Sequence, residues 1–208
     1  MKKLLILLFS LFFLYSPSVF ADDLSNFQIE GMSIGDSLLD YMTEDEILKE
    51  IELGKGRYSY LKEQNKYAEV FLIKDFSTYD SLSFFVKNNS TNKYITDKDE
   101  KFVISGIRGI LKYNDDFDGC MQKRNEISEV LSGKFPNADK SESREVHPTD
   151  PSGNSSVEGV WFNFDSGGFA SIHCDDFDAN FIMINNYSLG MTIQILNKDS
   201  TVWLRNIL

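Results

Sequence analysis

Asn114-Asp115-Asp116-Phe117-Asp118-Gly119-Cys120, near the middle of the chain, has a twin in Cys174-Asp175-Asp176-Phe177-Asp178. Both contain Asp-Asp-Phe-Asp, with the cysteine after it in the first copy and before it in the second. These are the only two cysteines. In an exported chain such a pair is expected to form a disulfide, because compartments beyond the inner membrane oxidise thiols. Closing a loop of this length contributes about 4 kcal/mol in the chain-entropy model. A redox-catalytic role is disfavoured by the absence of a Cys-x-x-Cys motif.

Downstream of the first twin, Phe117, Cys120, Ile127, Val130 and Leu131 fit one helical face, with Asp116 or Asp118 near the start and Gly133 near the end. Residues 140–156 are polar, contain Pro148, Pro151 and Gly153, and read as a surface loop. Val157 to Asp165 and Phe169 to Asp175 read as a hairpin. A three-residue loop at Ser166-Gly167-Gly168 puts Val160, Phe162 and Phe164 on a face with Ala170, Ile172 and Cys174. That register points Cys174 towards the helix carrying Cys120, and sets Trp161 and His173 opposite each other on the outer face. Further strands are predicted at Phe181–Ile184, Met191–Leu196 and Thr201–Leu204.

The half upstream of Asn114 follows the same order. Ser33 is predicted to cap a short helix carrying Leu38 and Leu39. Thr43 and Glu46 form a capping box, flanked by Met42 and Ile47, for a helix with Ile47, Leu48 and Ile51 on its apolar face. Strands follow at Tyr67–Lys74, Ser81–Lys87 and Phe102–Tyr113, with Gly106 and Gly109 marking a bulge or a close backbone approach. The fold class expected is α+β: two helix-then-antiparallel-strands units in tandem, residues 22–113 and 114–208, with helices packed on sheet.

Ahead of both units, Lys2 and Lys3, an apolar run from Leu4 and Val19-Phe20-Ala21 have the three parts of a signal peptide over residues 1–21. The expectation is a periplasmic or secreted protein with no stable membrane anchor after cleavage. Cleavage takes two lysines and no acids, moving the net charge from −11 to −13. So acidic a chain repels nucleic acid and anionic lipid, neither of which is expected as a partner, and suits a basic partner or a cation.

Ile29-Glu30-Gly31-Met32-Ser33, followed by Leu38 and Leu39, resembles the opening helix motif of the outer-membrane assembly lipoproteins of the BamE type. The tandem helix-then-strands order is similar to that of the beta-lactamase inhibitor protein. These resemblances imply a non-catalytic exported module that binds other proteins through its sheet.

Three constellations could carry chemistry. Asn114-x-Asp116-x-Asp118-Gly119 matches the first half of a calcium loop, whose alternating oxygen ligands converge on a hard cation. The twelfth position is Asn125, and Glu126 falls one place late. Asp175, Asp176 and Asp178 could complete the set if the disulfide brings the twins together; the alternative is that Asp116 and Asp118 only cap the helix. His147 and His173, the only histidines, could serve a hydrolase with Ser152, Ser155 or Ser156, although no nucleophile elbow is present. Trp161, Phe169 and His173 could form an exposed face for a protein or a sugar, or be covered by a second layer. The reading that follows is an exported soluble, non-enzymatic protein-binding or assembly-accessory module without a cofactor. A calcium-stabilised secreted protein is the alternative, and a periplasmic hydrolase comes third.

Overall fold

The computed structural model describes residues 24, 27–55, 66–88, 94–114, 116–148, 150–185 and 189–207. The segment read as a signal peptide, 1–21, lies outside them. The elements run β1 (Gln28–Ile29), β2 (Met32–Ser33), α1 (Glu44–Gly54), β3 (Tyr67–Leu72), β4 (Ser81–Lys87), β5 (Ile104–Asn114), α2 (Phe117–Lys134), β6 (Asp139–Val146), β7 (Ser156–Asn163), β8 (Phe169–Asp176), α3 (Ala179–Asn185), β9 (Leu189–Leu196) and α4 (Lys198–Ile207). The protein is a mixed α+β fold.

Seven strands form one sheet in the order β3-β4-β5-β9-β8-β7-β6, and every neighbouring pair is antiparallel. The last strands of the two halves meet at its centre, where Ile107 pairs with Ile195 and Arg108 with Gln194. The sheet is therefore continuous across the boundary read at residues 113 and 114.

Alternation along the strands sorts side chains onto two faces. On one face Val70, Leu82, Phe84, Ile107, Ile193, Ile172, Val160 and Phe162 are buried in a core that also takes Ile47 and Ile51 of α1 and Cys120 and Leu131 of α2. The cysteines are bonded with 6.1 Å between their Cα atoms, pinning the first turn of α2 to β8. Thr43 and Glu46 satisfy each other's backbone donors as the capping box that starts α1. The opposite face carries a smaller cluster of Phe85, Leu196 and Leu204, with Phe169 and Trp203 packed against it. α4 covers only part of this second face.

Several expectations need correction. Residues 139–146 are not loop but the edge strand β6, and Asp139, Lys140, Glu142, Arg144 and Glu145 give that edge the charge that discourages further pairing. Phe181–Ile184 lies in α3, and Thr201–Leu204 lies in α4. In α4, Thr201, Leu204 and Ser200 turn inward while Val202 is exposed, a helical spacing that a four-residue window hides. Ser33 sits in the β1–β2 hairpin, and Ser37 caps the short 3-10 turn Leu38–Asp40. In α2, Val130 points outward, about 100° round the helix from the Cys120–Leu131 line. Arg124 and Ser128 are buried beside that line instead; Arg124 reaches Glu142 and Glu158 on β6 and β7.

Candidate functional site

The alternation that turns Val160, Phe162, Ala170, Ile172 and Cys174 towards α2 turns the residues between them to the other side. There a groove of about 510 Å3 crosses β5, β9, β8 and β7, within the size range of small-ligand sites. Its floor takes Arg108 and Gln194 from the central pair, Phe169, Ser171, His173 and Asp175 from β8, and Trp161 and Asn163 from β7. Thr201, Leu204 and Arg205 of α4 form one wall. His147 and Pro148, where the chain leaves β6, form the other. Trp161, Phe169 and His173, the three residues read as a binding face, thus line one groove, each only partly buried.

Trp161 and His173 share this face but are not paired. Trp161 lies opposite Ser171, and His173 lies opposite Gly159. The indole reaches diagonally across Gly159: a Cβ at that position would stand 2.7 Å from Cη2 of Trp161 and 2.8 Å from Cβ of His173. Glycine is required there because the aromatic ring occupies the space of a side chain.

Beneath the groove Arg108 is fixed from three sides. Its Nη1 donates to Glu69 Oε1 at 2.8 Å, its Nε donates to Gln194 Oε1 at 2.9 Å, and its guanidinium lies 5.1 Å from the Phe85 ring centre. Glu69 is fully buried and also accepts from Ser83 Oγ at 2.7 Å. A buried carboxylate persists only with such partners.

At the other end Asp175 Oδ1 lies 3.5 Å from Nε2 of His147 and 3.9 Å from Nε2 of His173. That oxygen is buried and accepts no hydrogen bond. Burial pushes the His173 imidazole below its ordinary value of 6.5; Asp175 opposes this, and Arg108 and His147 add to it. His173 is therefore a neutral ring at neutral pH. His147 is held by its loop and packs 4.6 Å from the Phe177 ring centre. Its backbone N–H donates to the Ser155 carbonyl. Asp150 staples the same loop by accepting from Ser155 Oγ, Ser155 N–H and Ser152 N–H. The Ser155 hydroxyl above all holds the Asp150 carboxyl down at about 2.

The residues read as calcium ligands are spread over different tasks. Asp116 caps α2 by accepting from the Gly119 N–H at 2.9 Å, and Asn114 ends β5 with a positive φ of 49°. Asp118 is exposed on the first turn of α2. Asp176 reaches Arg144 at 3.3 Å, and Asp178 accepts from the N–H groups of Asn180 and Phe181 at the start of α3. Asp175 lies on the sheet face opposite Cys174, because consecutive strand residues alternate. The disulfide therefore joins the twins without bringing Asp175 to α2. Among the described residues no three His, Cys, Asp or Glu side chains are grouped to hold a metal ion.

The candidate serines also separate. Ser155 is buried; its hydroxyl donates to Asp150 at 2.6 Å and accepts from the Asp178 N–H. Ser156 shares the parity of Cys174 and faces away from the groove. Ser152 N–H is part of the Asp150 staple. The serine in the groove is Ser171, on the same strand face as His173 and Asp175. Sequence reading passed over Arg108, Gln194 and Ser171; Thr192 and Gln194 alternate with apolar residues in Met191–Leu196, but in Ile104–Leu111 Ser105 and Arg108 are three apart and give no such pattern. Comparison with protein-family models, with curated proteins and with solved structures finds no match for this chain.

Proposed function

We propose that the chain is an exported, non-enzymatic protein-binding or assembly-accessory module whose recognition surface is the sheet face bearing Trp161, Phe169 and His173. The observation that carries this reading is their convergence, half-exposed, on one groove that α4 leaves open. Aromatic rings in this state contribute most to association, since a partner removes their remaining surface from water. The disulfide suits an oxidising compartment, and among the described residues no helix is long and apolar enough to cross a membrane. The tandem-unit reading is supported by the shared order of helix followed by three antiparallel strands in α1–β5 and α2–β8.

The test is capture from an extract of the exported fraction by immobilised protein, run in parallel with Trp161→Ala and Phe169→Ala. A partner held by the parent chain and lost from both variants, with their circular dichroism unchanged, is the expected result. Equal capture by all three would rule the groove out as the docking surface.

A hydrolase is favoured by one specific observation: the groove unites both histidines, Asp175 and Ser171. Acyl transfer needs a serine hydrogen-bonded to its base. Ser171 and His173 share no such bond, and Asp175 faces Nε2 of both imidazoles. A fluorophosphonate probe is therefore expected to leave Ser171 unlabelled. Labelling that disappears in His173→Ala would establish the enzyme instead.

A further inference from the structure

The charges around the groove narrow what it can hold. Arg108 is already matched by Glu69, and Asp175 stands between the imidazoles, so an anion entering the groove meets a carboxylate with spare acceptor capacity. A cation meets the guanidinium groups of Arg108 and Arg205. A wholly apolar ligand would cover the polar groups of Asn163, Gln194 and His173 and return no hydrogen bonds, a cost that a ligand with hydroxyls avoids. The chemistry left is a neutral molecule with several hydroxyls and at least one apolar face.

Trp161 supplies the matching surface. Besides its approach to Cη2, a Cβ at residue 159 would stand 3.0 Å from Cζ2, so the Cζ2–Cη2 edge of the indole occupies the side-chain space above Gly159. A ring held in this way is a platform, fixed before any ligand arrives. The C–H groups on one face of a pyranose carry partial positive charge and pack on the negative face of an indole. The side chains around the platform are planar and polar: the amides of Asn163 and Gln194, the imidazole of His173 and the carboxylate of Asp175. Each has the donors or acceptors that adjacent hydroxyl groups need.

We propose that the groove is a saccharide-binding site, in which a neutral sugar ring stacks on Trp161 and gives its hydroxyls to Asn163, Gln194, His173 and Asp175. This rests on reading the groove as a binding site without turnover, and it names the ligand class.

The experiment uses the whole disulfide-bonded chain and a panel of neutral oligosaccharides of glucose, galactose, mannose and N-acetylglucosamine. Trp203 packs against Tyr67 and Phe85 away from the groove, so Trp203→Phe leaves Trp161 as the single fluorescent reporter. At least one panel member is expected to shift Trp161 emission and to saturate at millimolar concentration or below. Calorimetry should then find binding weakened at least about tenfold in Trp161→Ala. Gly159→Ala should lose as much, because a Cβ there meets both Trp161 Cη2 and His173 Cβ and displaces the indole; circular dichroism of the variant checks that β7 and β8 stay paired. No response to any panel member at millimolar concentration overturns the proposal, as does equal affinity in both variants. A protein partner lost from Trp161→Ala without any saccharide response overturns the sugar and leaves the docking surface standing. Saccharide binding without a captured protein does the reverse.

Discussion

The two faces of the central sheet draw on alternate residues of the same strands and come out with opposite character. On β8, Ala170, Ile172 and Cys174 disappear under α2, whereas Phe169, His173 and Asp175 remain partly open to solvent. On β7, Val160 and Phe162 are buried, and their neighbours Trp161 and Asn163 line the groove. The face under α1 and α2 is apolar and is closed by the disulfide. The other face holds a buried ion pair, both histidines and an incomplete helical cover. Core packing and the proposed recognition surface thus fall on adjacent positions of one chain, so each can be perturbed with little effect on the other.

The strongest way to test that division is to open the closed face. Replacing Cys120 and Cys174 together by alanine removes a cross-link between residues 54 apart and should cost about 4 kcal/mol in the chain-entropy model. The denaturant midpoint should fall, and reduction of the parent chain should reproduce the change. Groove binding measured well below the midpoint should be unaltered, because neither sulfur faces the groove.

A pair of neighbouring substitutions sharpens the comparison. Ile172→Ala leaves a void in the dry core and should cost about 3 kcal/mol, by the behaviour of large-to-small core changes. Phe169→Ala, three residues earlier on the open face, should cost no more than about 2 kcal/mol, since its ring already meets water. Equal losses in urea unfolding would mean that both faces carry the fold.

What could be read in advance follows the same division. The facing of the hairpin residues from Val160 to Cys174 was legible because two short runs alternate cleanly, but the register was not: Phe169 pairs with Asn163, so the turn takes five residues rather than three and Trp161 stands opposite Ser171. The capping box at Thr43 was legible because it is a local exchange of hydrogen bonds. β6 was not, because an edge strand with no buried face has no apolar alternation to announce it. α4 was missed because a four-residue apolar run fits both periods. In the groove, Trp161, Phe169 and His173 were visible as out-facing residues of a predicted hairpin. Arg108 and Gln194 were not, since they come from the two halves and meet only where β5 pairs with β9. Topology, rather than spacing, brings them together.

The open face should also respond to acid. The His173 pKa is lowered by burial, so the folded protein resists protonation that the unfolded chain accepts near 6.5. Stability from this group is complete above that pH and is lost as pH falls from 6.5 towards the lower folded value. The titratable and charged groups facing the imidazole are Asp175 from its own strand, His147 from the β6–β7 loop and Arg108 from β5. The melting temperature should therefore decline across this window, and His173→Phe should flatten the decline. A slope unchanged in the variant would assign it to other groups.

The smallest effect belongs to the acidic twins, where the comparison is between two uses of one tetrapeptide. In the first copy Asp116 caps α2, accepting from the Gly119 N–H; in the second, Asp178 does the same for α3 through Asn180 and Phe181. Each lies at the start of a helix, where four backbone donors lack intrahelical partners and a negative charge is favoured by the dipole. Asp116→Ala should cost about 1 kcal/mol, and Asp116→Asn less, because asparagine keeps the accepting oxygen. Neither loss should depend on calcium, since the aspartates of the second copy are engaged at β8 and α3. A calcium-dependent rise in melting temperature, abolished by Asp116→Ala, would show that the first twin gathers a cation after all and that capping is only part of its task.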